Sequence, residues 1–330
     1  MVQEHIVKGC LKAGTVAAVV VTYNRKKLLV ECVEALLRQS EPVHKIIIID
    51  NASTDGTAEL MAGKGYLSTP LIDYVRLPEN TGGAGGFYEG VKRGYEAGYG
   101  WLWLMDDDAE PEEDALGYLT RYTNGGGISA LASAVKLPGG GLSLHHRWLH
   151  LADNCLRPMR AALIPTESYS QKKIKIDGAS FVGLLVNRDA VTKIGLPKGE
   201  FFIHFDDGEY CARLRHVGDI SLIPESIILH KEARNDPDAR LRTYVIPYDK
   251  LWISYFWHRN MVWLYKTHTK GSLKALFYAS AFYGRSIIKA LLLGDHKIRR
   301  LLFFTGSFID GMRGVFDNGR PKRILGIDPQ

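Results

Sequence analysis

Three consecutive carboxylates, Asp106, Asp107 and Asp108, follow the apolar run Trp101–Met105 without a break. Acids packed this closely repel one another, and at the end of a buried strand they need a cation or a proton. Alternate side chains of an extended segment share a face, so the spacing sends Asp106 and Asp108 to one site and turns Asp107 aside. An all-oxygen set suits Mg²⁺ or Mn²⁺, ions that commonly bridge protein carboxylates and substrate phosphates. The competing assignment is an acidic loop capping the next helix, a role that Glu110, Glu112, Glu113 and Asp114 fit well. Three acids directly after an apolar strand are hard to explain by capping, which favours the metal.

A second acid group, Asp206, Asp207 and Glu209, lies in the segment Phe205–Tyr210. Two separate clusters permit a division of labour between cation binding and general-base work. His230 ends the run Ile227-Ile228-Leu229, where a neutral imidazole could complete a metal site. A hydrogen-bonded histidine at a sheet edge would read the same way. The segment Asn80–Phe87 holds four glycines in five positions, Gly82, Gly83, Gly85 and Gly86. It matches neither GxGxxG nor the GK[ST] of a P-loop. Glycine there lets backbone approach a ligand and brings amides near a helix start. A flexible loop or close helix packing explains the glycines equally well.

Positioning these groups requires a sheet whose strand ends meet at one edge. Val16–Thr22 is a β-branched run ending at Tyr23-Asn24, and Lys27–Arg38 follows with apolar residues at helical spacing. Ile46–Ile49 is wholly apolar, as a strand buried on both faces requires. It runs into Asp50-Asn51-Ala52-Ser53-Thr54-Asp55-Gly56-Thr57, dense in turn and capping residues. Asp73–Leu77 and Trp101–Met105 complete four strands alternating with helical patterns, which predicts a parallel α/β sheet. Three of these strands end in polar or Gly-rich loops, where open α/β sheets bind ligands. Beyond residue 125 the pattern turns irregular: strands are expected over Lys172–Asp177, Phe181–Val186, Ile220–Ile223 and Ile227–Leu229, a helix over Asp207–His216, and mostly helix after Asp249.

The 330 residues are 46% hydrophobic and 24% charged, which excludes a disordered chain, a collagen or a disulfide scaffold. Cys10, Cys32, Cys155 and Cys211 form no CxxC pair, which argues against structural zinc. The opening residues lack a long apolar stretch, so a reduced, cytoplasmic setting is expected. Residues 251–330 carry 13 Lys and Arg against 4 Asp and Glu, whereas the preceding 250 are slightly acidic. Such a basic, aromatic-rich tail suits a polyanion or an anionic membrane surface, or is simply a solvated helical surface. No nucleic-acid-binding module accompanies it.

Taken together, the segments Val20–Arg25, Asp50–Thr57, Asn80–Phe87, Asp106–Asp108 and Asp206–Glu209 with His230 resemble the family 2 glycosyltransferases, inverting enzymes that use nucleotide-sugar donors. The Asn-x-Gly-Gly-Ala-Gly-Gly-Phe and Asp-Asp-Asp pieces are most similar to those of bacterial galactofuranosyltransferases and their rhamnosyltransferase relatives. The resemblance implies an α/β chain of GT-A fold, Rossmann-like and nucleotide-sugar-binding, with a helical C-terminal extension. Its catalytic domain would span 1–240, with a nucleotide-sugar half near 15–125 and an acceptor half near 126–240, and a basic helical region would span 241–330. It places Thr22 and Arg25 along the nucleotide, Asp50 on the pyrimidine ring, and Asn80 with Gly82, Gly83 and Gly85 along the ribose and diphosphate. Asp106, Asp108 and His230 would hold the divalent cation (Mn²⁺ or Mg²⁺), with Asp107 on ribose or donor sugar. Asp207 would deprotonate the acceptor hydroxyl, with Asp206 and Glu209 orienting acceptor or base.

The donor implied is UDP-galactofuranose, with dTDP-rhamnose as the alternative, and the acceptor a lipid-linked cell-surface glycan. A non-catalytic sugar-nucleotide-binding subunit of a polysaccharide assembly complex is the alternative from another class. Ala275–Leu293 is nearly long enough to span a bilayer, but Arg285 and Lys289 fall within it. An interfacial helix on the cytoplasmic face of the inner membrane accommodates them, with Lys297, Arg299 and Arg300 extending the basic surface. Internal packing, or an interface in a homo-oligomer, is the competing use of these helices.

Overall fold

The computed structural model describes residues 12–149, 162–231, 248–269, 271–293 and 295–326; Cys10, Cys155 and the opening eleven residues lie outside these. Packing divides the chain into two compact units. The first holds the described residues within 1–149, 161–199 and 207–233; the second holds 200–206 and the described residues within 234–330. The short stretch 200–206 thus groups with the C-terminal helices, although a boundary near 240 was expected.

In the first unit, β1 (Lys12–Thr22), α1 (Lys26–Leu37), β2 (Lys45–Asp50), α2 (Thr57–Gly63), β3 (Ile72–Arg76), α3 (Gly82–Glu96) and β4 (Tyr99–Asp106) alternate as expected. There follow β5 (Ala109–Pro111), α4 (Ala115–Thr120), β6 (Ile128–Lys136), β7 (Arg147–Leu149), β8 (Ala162–Leu163), β9 (Ile174–Ile176), β10 (Gly178–Ala179), β11 (Leu184–Asn187), α5 (Arg188–Ile194), α6 (Asp206–Leu214) and β12 (Asp219–His230). The main sheet runs β3-β2-β1-β4-β11-β6-β12-β5, with β9 also on β12; β10-β7-β8 form a second, small sheet. Strands β3, β2, β1 and β4 are parallel, and β11 is antiparallel to its neighbours.

Both faces of β1 are buried. Val16, Ala18 and Val20 join one apolar cluster with Leu29, Cys32, Val33 and Leu36 of α1, while Ala17, Val19 and Val21 join another with Phe87 and Val91 of α3. A central parallel strand covered by helices on both sides must be apolar throughout, which explains the unbroken β-branched run. The two short strands expected over Ile220–Ile223 and Ile227–Leu229 are one strand, β12. Its pairing with β6 shifts register between Ile223 and Ile227, and the polar and Pro residues there form a bulge rather than a break.

The glycine-rich segment is the start of a helix. Gly82 has φ +74°, and from there α3 continues to Glu96. Gly86, Gly90 and Gly94 form a stripe that lets α3 lie directly on the sheet: a Cβ at these positions would run into Val21, Val19 and Leu102 respectively. Close helix packing is therefore what Gly86, Gly90 and Gly94 provide, whereas Gly83 and Gly85 do not touch the sheet in this way.

In the second unit, α7 (Leu251–His268), α8 (Ser272–Leu293), α9 (Lys297–Arg313) and α10 (Arg320–Leu325) pack through Tyr255, Phe303, Phe304 and Leu325. Arg259 and Asn260 of α7 are buried and hold the stretch 200–206 by its carbonyls. Asn260 Nδ2 lies 3.0–3.1 Å from the oxygens of Phe201, Ile203 and His204, and Arg259 donates to Glu200 and Phe201. Phe202, His204 and Phe205 there have φ of +66°, +72° and +68°, a region costly for bulky side chains, and these buried donors fix it. No helix among the described residues is long and apolar enough to cross a membrane. Arg300 does not extend the basic surface. It is buried and paired with Asp295, because it faces the interior of the helical unit.

Candidate active site

The sheet register brings the motifs to one edge. Thr22 pairs with Asp50, Val21 with Asp106, and Asp50 with Arg76, so β1, β2, β3 and β4 end side by side. The loops leaving these ends are fastened to one another. Asn24, with φ +54°, accepts from Thr54 N at 2.7 Å and donates its own N–H to Ser53 Oγ at 2.9 Å. Asp55 accepts from Lys26 N and from the Thr57 hydroxyl.

Asp50 departs from the role expected of it. Its side chain is fully buried; Oδ1 accepts from Ser53 N at 2.8 Å and Oδ2 from the Tyr74 hydroxyl. It shapes the loop from inside and presents no surface to a pyrimidine ring. Asn51 was not singled out by the sequence, yet it ties β2 to the start of α3. Its Nδ2 donates to Gly82 O at 3.1 Å, and its Oδ1 accepts from Thr81 Oγ1 at 2.9 Å. Asn80 is exposed, and its Oδ1 accepts from Gly82 N at 2.8 Å. Gly83 faces open space, whereas a Cβ at Gly85 would meet Thr81.

The acid cluster differs from the alternating arrangement. β4 ends at Asp106, and the chain turns at Asp107 and Asp108, so the period of two stops where the acids begin. Asp107 and Asp108 converge on Arg25, whose Nη1 lies 3.3 Å from Asp107 Oδ1 and 2.9 Å from Asp108 Oδ2. Thr22, buried rather than lining a pocket, donates to Asp107 Oδ2 at 2.6 Å. Burial pushes the Asp107 carboxyl up to about 6, against the opposing pull of Thr22 and Arg25.

β12 pairs antiparallel with β5, His230 opposite Ala109, and this delivers His230 to Asp108 with Nε2 3.1 Å from Oδ1. Burial would raise Asp108, but His230 and Arg25 hold it below the usual carboxylate range. Burial would likewise depress the His230 imidazole, but Asp108 beside it outweighs this and raises it. Among the described residues no three His, Cys, Asp or Glu side chains are gathered as a finished cation site. The expected trio is partly assembled: Asp108 and His230 meet, and Asp106 is not gathered with them, because the chain turns just after it. The donors present nevertheless fit a divalent ion. Asp108 Oδ1 is buried with only the 3.1 Å approach of His230 Nε2 beside it, so a carboxylate oxygen and an imidazole nitrogen face one another without further partners.

The second acid group opens α6. Asp206 is its first residue, and Asp207 Oδ1 accepts from Gly208 N at 2.6 Å. Burial pushes the Asp207 carboxyl up to about 6, while backbone amides and Arg147 act to lower it. Glu209 is not poised to orient an acceptor. It is buried and bound by Arg213 one turn on, at 2.7–3.1 Å, and Arg213 also holds the carbonyls of Ile194 and Leu196.

Sequence reasoning missed His146, Arg147 and Ser180. Arg147 is wholly buried and donates to the carbonyls of Ser133, His146 and Val182, which makes it a fixed interior cation. Burial brings it down to about 10, so it stays charged at neutral pH. His146 shares a 2.8 Å hydrogen bond with Ser180 and stands edge-on to His230, ring centres 5.0 Å apart. Burial, helped by Arg147 and His230, depresses it to about 3, so it is neutral. The run His145-His146-Arg147-Trp148 was the available signal.

The family model for glycosyl transferase family 2 matches residues 17–195, more than half of the chain. The chain belongs to glycosyl transferase family 2. It is 28% identical over 213 residues to galactofuranosyltransferase GlfT1 of Mycolicibacterium smegmatis, covering 62% of this chain and 66% of the relative. GlfT1 of Mycobacterium tuberculosis H37Rv is 28% identical over 211 residues, with the same shares. The match thus spans just under two thirds of these curated relatives. Among solved structures, S. aureus TarS 1–349 in complex with UDP superposes with a TM-score of 0.54 at 13% identity, covering 94% of this chain and 82% of that one. GalNAc-T7 with UDP, GalNAc and Mn²⁺ gives 0.59 at 14%, covering 91% and 56%. At such identities the likeness shows the fold, a GT-A-type α/β arrangement with a helical C-terminal region.

Proposed function

We propose that this chain transfers a sugar from a nucleotide-sugar donor to a glycan hydroxyl with inversion, and that the sugar is galactofuranose, from UDP-galactofuranose. The carrying observation is the pair of separate acid groups: Asp107 and Asp108 with His230 at the common edge of β1, β2 and β4, and Asp207 at the start of α6. The likeness to GlfT1 supports the donor assignment.

Asp207 takes the acceptor proton as the hydroxyl oxygen attacks the anomeric carbon. The bond to the diphosphate breaks with its electron pair leaving on the nucleoside diphosphate, and attack from the opposite face inverts the centre. A carboxylate titrating near 6 is ionised at neutral pH yet basic enough to accept that proton. The start of α3, Asn80 with Gly82, Gly83 and Gly85, lies along the diphosphate in this reading; Asn80 Oδ1 holds the Gly82 amide, and the Gly83 amide beyond it faces the phosphates. Asp108 and His230, with Asp106 or Asp107, would hold Mn²⁺ or Mg²⁺, which neutralises charge on the leaving diphosphate.

The acceptor we infer is a lipid-linked cell-surface glycan. Leu273, Phe277, Leu292, Ile298 and Leu302 are exposed on α8 and α9 among Lys289, Lys297 and Arg299. Apolar side chains interleaved with basic ones suit an anionic membrane surface.

The test is a panel of nucleotide sugars scored by nucleotide release with and without Mn²⁺. Release from UDP-galactofuranose, abolished by EDTA and restored by Mn²⁺, is expected. Selective use of dTDP-rhamnose would replace the donor, full activity in EDTA would remove the metal, and binding without turnover would favour a non-catalytic subunit.

A further inference from the structure

A cluster of buried acids must be neutralised whether or not substrate is present, and here a side chain of the chain itself does this. The Arg25 guanidinium bridges Asp107 and Asp108 through Nη1. It is unequally placed relative to its partners: the arginine is 42% exposed, Asp108 only 6%. The acids are buried at the sheet edge, and the cation reaches them from the solvent side. Thr22 holds Asp107 from below, and Lys231 N donates to Asp108 O at 2.9 Å, so neither acid follows the arginine if it leaves.

We propose that Arg25 is a resident counter-ion that competes with the divalent cation for Asp108, and that donor binding releases it. This rests on the reading of the acid cluster as the cation site and deepens it. A divalent ion on the Asp108 carboxylate stands within a few ångströms of the guanidinium, and like charges at that range repel, although water at the 42% exposed arginine screens part of the repulsion. Arg25 therefore leaves when the ion enters. A guanidinium that loses a carboxylate matches a diphosphate with the same planar fork, so the donor's own phosphates are its natural destination. Cation and nucleotide then bind cooperatively: each supplies what the other displaces.

The experiment measures Mn²⁺ affinity of the full chain by the loss of the free-ion EPR signal, with and without UDP. Wild type binds Mn²⁺ weakly alone and more tightly with UDP. Arg25→Gln binds Mn²⁺ about tenfold more tightly without UDP, and the gain on adding UDP shrinks. Arg25→Lys keeps the charge and stays near wild type, which separates charge competition from loosening of the loop. Asp108→Asn removes the binding. If Arg25→Gln binds no tighter than wild type, or Arg25→Lys gains as much as Arg25→Gln, the inference fails while the cation site stands. If neither wild type nor Arg25→Gln binds Mn²⁺ with UDP present, the cation site itself falls and the inference with it.

Discussion

Alanine substitutions at Gly83, Gly86 and Gly90 separate the two uses a glycine-rich segment can have. All three lie in α3, where Gly→Ala by itself gains roughly 0.5–1 kcal/mol. At Gly83 the new methyl meets nothing within 4 Å. At Gly90 it would overlap Val19 Cγ1 and lie 3.3 Å from Ile49 Cγ1; both are buried on central strands and have nowhere to go. The optimum carbon separation is about 3.5–4.0 Å, so the helix must lift by roughly an ångström. Overpacking of this kind costs about 1–3 kcal/mol, which outweighs the helix gain. Gly86→Ala meets Val21 and comes within 2.9 Å of Asn51 Nδ2, so it also disturbs the bond from Asn51 to Gly82 O. Urea denaturation followed by circular dichroism, with UDP titration on each variant, reads both effects. Gly83→Ala should be as stable as wild type or slightly more so but bind UDP less well. Gly90→Ala should lose about 1–2 kcal/mol with little change in UDP affinity, and Gly86→Ala should lose both. A Gly90→Ala protein as stable as wild type would refute the packing argument, and unchanged UDP binding by Gly83→Ala would refute a diphosphate at this helix start.

Other outcomes follow from the same geometry. Asp207→Asn should depress kcat severely while leaving UDP affinity nearly unchanged; parallel losses in both would place Asp207 with the donor instead. Because burial raises Asp207 to about 6, the proton-accepting form prevails above that pH, and kcat should fall about tenfold per unit below it; a kcat flat down to pH 5 would contradict this. Asn260→Ala removes a buried donor from the carbonyls of Phe201, Ile203 and His204, of which Phe201 keeps Arg259, and should cost roughly 1–3 kcal/mol, read by urea denaturation, with faster limited proteolysis at 200–206; wild-type stability would count against the clamp. The full chain should float with anionic but not neutral liposomes, and Phe277→Asp with Leu292→Asp, both exposed, should abolish flotation without loss of stability; flotation insensitive to salt and to these changes would end the membrane reading.

Much of the first unit is legible residue by residue because its signals are short-range. A β-branched run such as Val16–Thr22 with no polar face can only be a strand covered on both sides, and the loops after Thr22, Asp50 and Met105 announce a ligand-binding edge. The acids and His230 were legible as chemistry for the same reason: their types are unusual next to apolar runs. Their geometry was not. Alternation holds only while the backbone stays extended, and the turn after Asp106 brought Asp107 back beside Asp108. Asp50 and Glu209 advertise the same carboxylate as Asp207, and only packing reveals that Tyr74 with Ser53, and Arg213, occupy the first two. The partners that set charge in the site lie far away in sequence: Arg25 is 83 residues from Asp108, and Arg147 is 35 from Val182. Local propensity has no access to such pairs. Which acid meets a cation and which is buried without one is decided when strands from distant parts of the chain come into register.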